Sequence, residues 1–213
     1  MAQEKKNGTA TDEGLLERWQ AGDMDAGAAL FDRHHMAIVR FFRNKIDDSQ
    51  RDDLIQQTFM AAQSANFSGR SAVRTWLISI AWRRLADYLR KEARRRKRDQ
   101  HAFGMDSVIT LGQSPETVFS KNQERRLLLE GLRRIPLAQQ VVLELHYWED
   151  MSSTDISTAL DLPVGTVKTR IRDGKLRLRR TLEEIAKSEQ VLKSTLDNLE
   201  AWARRAKHHH EAT

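Results

Sequence analysis

Residues 152–180 read SSTDISTALDLPVGTVKTRIRDGKLRLRR, a pattern that predicts a short helix with a polar start, a break at residues 161–163 and a second helix rich in cations. Two helices joined by a turn of about three or four residues form a helix-turn-helix, whose second helix enters the major groove of DNA. Four apolar residues can form the packed side of the second helix: Val167, Ile171, Leu176 and Leu178. Lysine and arginine crowd the rest of it, with Asp173 as its single acid. The pattern therefore favours binding to duplex DNA.

The net charge of +6 hides two strongly basic blocks, one in each half of the chain. Residues 83–98 hold nine lysines and arginines against two acids, and residues 164–180 hold seven against one. Two such blocks on an otherwise acidic chain indicate two separate contacts with a polyanion. Solvated helix faces or basic tails are the alternative interpretation of each block.

Composition favours an all-α protein. The 213 residues include only 10 glycines and 3 prolines, with abundant helix formers. No stretch approaches the roughly 18 consecutive apolar residues that span a bilayer, and the polar N-terminus lacks the apolar core of a signal peptide. The absence of cysteine excludes disulfides and thiolate metal sites. We therefore expect a soluble, cytoplasmic protein.

Apolar periodicity predicts two small helical domains joined by a flexible linker, plus a C-terminal amphipathic helix. The expected order is a disordered N-terminus over 1–12, a first domain over 13–98, a linker over 99–121, a helix-turn-helix domain over 122–182 and an extension over 183–213. The extension is expected to form one helix over residues 183–205, which could pack on the second domain, bind a regulatory partner or pair with itself.

Two groups of side chains leave alternatives open. Trp82 falls off the apolar stripe of its helix, so it is either an exposed indole for stacking on a base or a rim residue that covers a neighbouring helix. His208, His209 and His210 are adjacent, and adjacent histidines do not converge on one metal ion as i, i+4 pairs do. We expect no metal site there, and we place His34 and His35 at the surface or rim.

Longer runs of the sequence resemble a known family. LFDRHHMAIVRFFRNKI, DDLIQQTFMAAQ and FSGRSAVRTWLISIAWRRLADYLRKEARRRKR are similar to the promoter-melting domain of the extracytoplasmic-function sigma factors of the sigma-70 family. RRIPLAQQVVLELHYWEDMSSTDISTALDLPVGTVKTRIRDGKLRLRRTL is similar to their second DNA-binding domain. VGTVKTR alone is common to many regulators, but the combination, in the family's order over about residues 28–98 and 127–182, is specific.

The resemblance implies a dissociable specificity subunit of bacterial RNA polymerase that directs promoter-specific initiation at −10 and −35 elements. Its implied partners are core RNA polymerase, through the clamp helices of the largest subunit and the β-subunit flap, then promoter DNA and an anti-sigma protein. It implies no enzymatic activity, cofactor, metal or small-molecule substrate.

The resemblance also assigns residues to three surfaces. Core polymerase would be bound by Asp53, Leu54, Gln57, Thr58 and Phe59, although Leu54, Thr58 and Phe59 could instead be core residues. The −10 element would be bound by Asn66, Phe67, Ser68, Arg70, Ser71, Arg74, Trp82, Arg83, Arg84, Asp87 and Arg90. The −35 element would be bound by Thr166, Lys168, Thr169, Arg170, Arg172 and Lys175. The family often has Arg-Asn where this chain has Trp82-Arg83, which points to a different −10 preference.

Two other classes of function compete with this interpretation. An ordinary helix-turn-helix regulator would bind operator DNA without core polymerase, but the first half of the chain has its own basic helix and lacks the βα alternation of a receiver domain. A nuclease would need clustered carboxylates or histidines beside the basic blocks, whereas Asp87 and Asp173 lack such neighbours in the sequence.

Overall fold

The computed structural model describes residues 10–103 and 123–197, with the backbone alone for residues 98–103. Within these ranges it contains nine α-helices and no β-strand, which confirms the all-α prediction. The chain divides into two compact units, residues 1–110 and residues 111–213.

The first unit is a four-helix assembly. Its helices are α1 (Asp12–Gln20), α2 (Met24–Arg43), α3 (Asp48–Ser64) and α4 (Val73–Phe103). Helix α2 contacts each of the other three, and α3 packs against α4. The largest side chains that this unit buries fully are Leu15, Leu16, Leu30, Ile38, Phe42, Leu77, Ile78 and Leu85. Gly27 lets α2 approach α1, because a Cβ at this position would lie only 2.3 Å from Cδ1 of Trp19.

His34 is part of this core, so the prediction of a surface or rim position is wrong. Its Nε2 lies 2.7 Å from Oδ2 of Asp12, the first residue of α1, and Nη1 of Arg33 lies 2.9 Å from the other carboxylate oxygen. A buried imidazole needs a hydrogen-bonding partner, and this partner, Asp12, lies 22 residues upstream. His35 does lie nearer the surface, with its ring stacked on Phe31 at 4.5 Å.

The second unit contains five helices. They are α5 (Gln123–Arg134), α6 (Leu137–Tyr147), α7 (Ser153–Leu160), α8 (Val164–Ile185) and α9 (Glu189–Asp197). One hydrophobic cluster joins α5, α6 and α8: Leu128, Leu132, Ile135, Leu143, Leu178 and Leu182. Gly131 allows the close approach of α5 to α8, since a Cβ there would lie 2.7 Å from Cδ2 of Leu182.

The expected single helix over residues 183–205 is wrong. Helix α8 continues through Ile185 and ends at Ala186, whose ψ of 128° is extended. Ser188 then starts α9: its side-chain oxygen accepts from the backbone N–H of Val191, and its carbonyl accepts from that of Leu192. Helix α9 packs on α5 and α8, which confirms for this segment that the extension packs on the second domain. Trp202 and His208–His210 lie outside the described residues.

Helix α4 is longer than expected. It continues to Phe103, beyond the residue 98 at which we expected the first domain to end. The later part of the expected linker, residues 104–121, lies outside the described residues. Across the described ranges, every helix is too short or too polar to cross a bilayer.

Candidate nucleic-acid interface

The helix-turn-helix of the second unit forms at the predicted position. Helix α7 begins with a capping box, in which the N–H of Asp155 donates to Oγ of Ser152 (3.1 Å) and the N–H of Ser152 donates to Oδ2 of Asp155 (3.2 Å). It ends at Asp161, which adopts the left-handed conformation (φ 53°, ψ 54°). Pro163 then directly precedes α8, where its fixed φ suits the start of a helix. The break predicted at residues 161–163 is confirmed.

Helix α8 has one packed face, which differs from the prediction at one residue. Val167 and Leu178 are buried and Ile171 is half-buried, as expected, but the side chain of Leu176 is 56% exposed. At about 100° of rotation per residue, Leu178 returns to the Val167 side whereas Leu176 lies about 180° from it. Leu176 therefore belongs to the outer face of the helix.

The cations of the outer face begin at the first turn of α8. Lys168, Thr169 and Arg172 are exposed, while Thr166 and Arg170 are half-buried. Two of the predicted −35 residues also make contacts inside the unit. Nε of Arg172 donates to Oδ1 of Asp173 (3.0 Å), and the ammonium of Lys175 lies 5.3 Å from the ring centroid of Tyr147. Lys168 and Arg172 are thus exposed cations one turn apart on α8.

In the first unit, residues 66–71 form a loop between α3 and α4. Asn66, Ser68 and Arg70 are exposed there, and Gly69 turns the chain with φ of +67°. Phe67 and Ser71 are half-buried, and the ring of Phe67 meets the edge of Trp76 with centroids 5.2 Å apart. Trp76 was not among the predicted site residues, because its place on the apolar stripe of α4 indicates only a core role.

Helix α4 brings the predicted −10 cations to the surface to different extents. Arg83 and Arg90 are exposed, whereas Arg74 and Arg84 are half-buried. Nη2 of Arg90 donates to Oδ1 of Asp87 (2.7 Å), which offsets the negative charge of that carboxylate. Trp82 is half-buried, an exposure that lies between the two alternatives.

Helix α3 separates the five predicted polymerase-binding residues into two sets. Asp53 and Gln57 are exposed, while Leu54, Thr58 and Phe59 are buried. The hydroxyl of Thr58 donates to the carbonyl of Leu54 (2.7 Å), and Phe59 packs on Phe31 with centroids 4.7 Å apart.

Met60, which was not predicted, extends the exposed side of α3. It is 62% exposed and, at helical spacing, follows Asp53 and Gln57 on one face. This face borders a groove of about 360 Å³, lined in part by Trp19, Phe31 and Met60. An exposed methionine beside aromatic rings gives the face an apolar component that the motif DDLIQQTF does not reveal.

Comparison with known proteins agrees with this architecture. Residues 30–95 match the family model for sigma-70 region 2, and residues 125–178 match that for sigma-70 region 4. RNA polymerase sigma-H factor of Pseudomonas aeruginosa is 30% identical over 169 residues, which cover 75% of this chain and 88% of that protein. The chain belongs to the sigma-70 family of RNA polymerase sigma factors.

Further relatives place this sigma factor in the extracytoplasmic-function group. The ECF RNA polymerase sigma-E factor of Haemophilus influenzae is 27% identical over 169 residues, covering 76% of this chain and 89% of that protein. As a member of the family, the protein directs promoter-specific transcription initiation. The region 2 match falls within α2–α4 and the region 4 match within α5–α8, whereas α1 and α9 lie outside both.

Solved structures share the fold of this sigma factor. CnrH, determined in complex with the cytosolic domain of CnrY, aligns with a TM-score of 0.59 and 23% identity over 82% of this chain and 99% of its own. The sigma factor RpoE of Bartonella quintana, determined with the anti-sigma factor NepR, aligns with a TM-score of 0.51 and 18% identity over 81% and 94%.

Proposed function

We propose that this sigma factor binds core RNA polymerase through α3 and contacts the promoter at two places, the −10 element through α4 and the −35 element through α8. The observation that carries the proposal is the presence of an exposed cationic helix on each of two compact units. A regulator that binds a single operator needs only one such helix.

The polymerase contact is assigned to the exposed side of α3. Asp53, Gln57 and Met60 form a polar and apolar face suited to packing on a helix of the largest polymerase subunit. Leu54, Thr58 and Phe59 act indirectly, because their burial fixes how α3 lies on the rest of the unit. The β-subunit flap is proposed as a further polymerase contact.

The −10 contact is assigned to the loop 66–71 and to α4 as far as Arg90. Promoter opening requires unpaired bases to be held out of the stack, which suits a loop with an aromatic ring beside a cationic helix. Phe67 provides the ring, while Arg74, Arg83, Arg84 and Arg90 provide charge for phosphates. The other proposed −10 residues are Asn66, Ser68, Arg70, Ser71, Trp82 and Asp87.

The −35 contact is assigned to the first turns of α8, where recognition helices meet base edges. Thr166, Lys168, Thr169, Arg170 and Arg172 lie there, and an arginine that binds guanine bidentately is worth about 1–3 kcal/mol of discrimination. Lys175 lies farther along the helix and is assigned to phosphate. We further propose that the protein acts in the cytoplasm, has no catalytic activity of its own and is held inactive by an anti-sigma protein, a class of partner found with RpoE of Bartonella quintana.

Reversing one charge on α3 tests the polymerase contact. In Asp53→Arg we expect binding to core polymerase and run-off transcription to be lost, with the helical content unchanged. Asp32→Arg, a reversal at an exposed position of α2, is the matched control and is expected to behave as wild type. Core binding by Asp53→Arg at the wild-type level would contradict the assignment of α3, and a wild-type protein that binds promoter DNA only without polymerase would contradict the proposed function.

A further inference from the structure

The end of helix α3 leads directly into the loop 66–71, which is proposed to hold unpaired −10 bases. The C-cap of the helix is Ala65, whose ψ of 143° is extended and whose N–H donates to the carbonyl of Ala61 (2.9 Å). The next four carbonyls, those of residues 62–65, lie beyond the last bond of the helix and need donors from other groups or from water. The groups that supply these donors therefore help to decide how the chain enters the loop.

Gln20, the last residue of α1, supplies two of these hydrogen bonds. Its Nε2 donates to the carbonyl of Ala62 (2.9 Å) and to the carbonyl of Ala65 (2.8 Å). Both partners are acceptors, so only the nitrogen end of the side-chain amide can face them, and its two hydrogens match the two carbonyls. A side chain that lies 42 residues before Ala62 in the sequence thus closes the end of α3.

Packing of the last turn of α1 fixes the place from which Gln20 donates. Trp19, the residue before it, is buried, and its ring fills the space that a Cβ on Gly27 of α2 would need. Leu15 and Leu16, about one turn earlier, are also buried. Helix α1 contacts α2, α3 and α4, so the amide is presented from the packed core of the first unit rather than from a loop.

We infer that Gln20 is a positioning residue for the −10 loop, which rests on the proposed −10 role of residues 66–71. Phe67, the ring proposed to meet an unpaired base, lies two residues after Ala65, and it also contacts Trp76 of α4 edge to face. Gln20 holds the backbone just before Phe67, while Trp76 holds the ring itself. Helix α1 lies outside the region 2 match, so this support comes from a part of the chain that the family match does not cover.

The polar residues of the proposed polymerase contact lie on an earlier part of α3. Asp53 and Gln57 precede Ala65 by about 18 and 12 Å along the helix axis. Leu54 and Phe59 are buried and hold this part of the helix on the core. Loss of the hydrogen bonds at the end of α3 is therefore expected to leave polymerase binding intact. Core binding thus separates a positioning role from general damage to the first unit.

Gln20→Met tests the inference, because methionine keeps the length, neutrality and helix propensity of glutamine but cannot donate these hydrogen bonds. The probe is a short non-template single strand that carries the −10 element of a promoter transcribed by the wild-type holoenzyme. We expect the Gln20→Met holoenzyme to bind this strand about three- to tenfold more weakly, because fewer loops are in the binding conformation. Binding to core polymerase and to a duplex with the −35 element alone is expected to stay at the wild-type level. In the free protein, the amide hydrogen of Ala65 is expected to exchange faster.

Gln190→Met makes the same substitution at an exposed position of α9 and is the matched control, expected to behave as wild type throughout. Wild-type affinity of Gln20→Met for the −10 strand would overturn the inference, as would an equal loss of core binding or an equal change in the control. Phe67→Ala makes failure of the proposed function distinguishable. If Phe67→Ala bound the strand as wild type does, the −10 role of the loop would fail together with the inference. If Phe67→Ala lost affinity and Gln20→Met did not, the inference alone would fail.

Discussion

The rings of Phe67 and Trp76 lie 5.2 Å apart at an interplanar angle of 62°, an edge-to-face contact between the loop 66–71 and the first turn of α4. Such pairs contribute about 0.5–1.5 kcal/mol beyond the area they bury. The contact holds the loop against the helix whose cations are proposed to grip the promoter. Trp76 is therefore a positioning residue for Phe67.

Truncation of Trp76 is expected to slow promoter opening more than it weakens the fold. In Trp76→Ala the ring of Phe67 loses its neighbour, whereas Trp76→Phe keeps an aromatic edge. We expect the alanine variant to lower the fluorescence rise of 2-aminopurine placed at the −10 element, and the phenylalanine variant to restore most of it. Opening by Trp76→Ala at the wild-type rate, with its thermal unfolding unchanged, would contradict the positioning role.

Two leucines of α8 test which face of the helix is packed. Leu178 is buried and Leu176 is exposed. Leu178→Ala is expected to lower the free energy of unfolding of the second unit by about 2–5 kcal/mol, the range for buried leucines. Leu176→Ala is expected to change it by less than about 0.5 kcal/mol. Chemical denaturation followed by circular dichroism measures both, and equal costs would refute the assigned faces.

Two glycines of the second unit provide a matched pair of substitutions that tests how closely α5 approaches α8. A Cβ on Gly131 would meet Leu182 at 2.7 Å and Leu178 at 3.0 Å, so Gly131→Ala is expected to cost about 1–3 kcal/mol of stability through overpacking. A Cβ added to Gly165 would have no neighbouring atom within 4 Å. Gly165→Ala is expected to leave stability unchanged or raise it by up to about 1 kcal/mol through helix propensity. A stabilised Gly131→Ala variant would show that α5 and α8 do not approach this closely.

The cluster of Asp12, Arg33 and His34 predicts loss of stability in acid. Burial, assisted by the charges of Arg74 and Arg33, holds the pKa of His34 below its ordinary 6.5 despite the opposing effect of Asp12. The unfolded chain then binds more protons than the folded one, and stability falls as the pH drops through about 6.5 toward the lower folded pKa.

The lowered pKa of Asp12 also makes the folded state less stable in acid, but at lower pH than His34 does. Partial burial works to raise its pKa, but hydrogen bonding from Arg33 and the charges of His34 and Arg33 outweigh that and lower it. Its contribution is present above about pH 4 and disappears as the pH falls through the folded value. In His34→Gln we expect a smaller loss of unfolding free energy between pH 7 and pH 5 than in wild type. If the free energy of unfolding changed equally with pH in both proteins, His34 would be excluded as the source of the loss of stability.

The helix-turn-helix was predictable because its signals are local. Ser152 with Asp155 forms a capping box, and Pro163 sets the start of α8, so neighbouring residues define both boundaries. The packed side of α8 was predicted correctly except at Leu176, where a leucine two residues before a buried leucine cannot share its face in a helix. The end of α8 at Ala186 was missed because residues 186–188 contain neither glycine nor proline.

Features that depend on distant partners were not predictable. Burial of His34 requires Asp12, and no periodicity within α2 indicates that pairing. The spacing of Trp76 on α4 indicates only a core role, and the contact with Phe67 is what places it beside the loop proposed to bind the −10 element. Likewise, the motif on α3 predicts five polymerase-binding residues. Only the packed unit shows that Asp53 and Gln57 are exposed while the other three are buried.

The division of the chain into two units, each with its own hydrophobic core, has a consequence for promoter strength. On the proposed assignment of one element to each unit, binding of the first unit holds the second at an effective concentration set by the segment that joins them, so neither contact has to be tight alone. A base change in one element then weakens the complex by a factor rather than abolishing it. Promoters served by this protein are therefore expected to differ in occupancy in graded steps, with a strong element at one end compensating a poor one at the other.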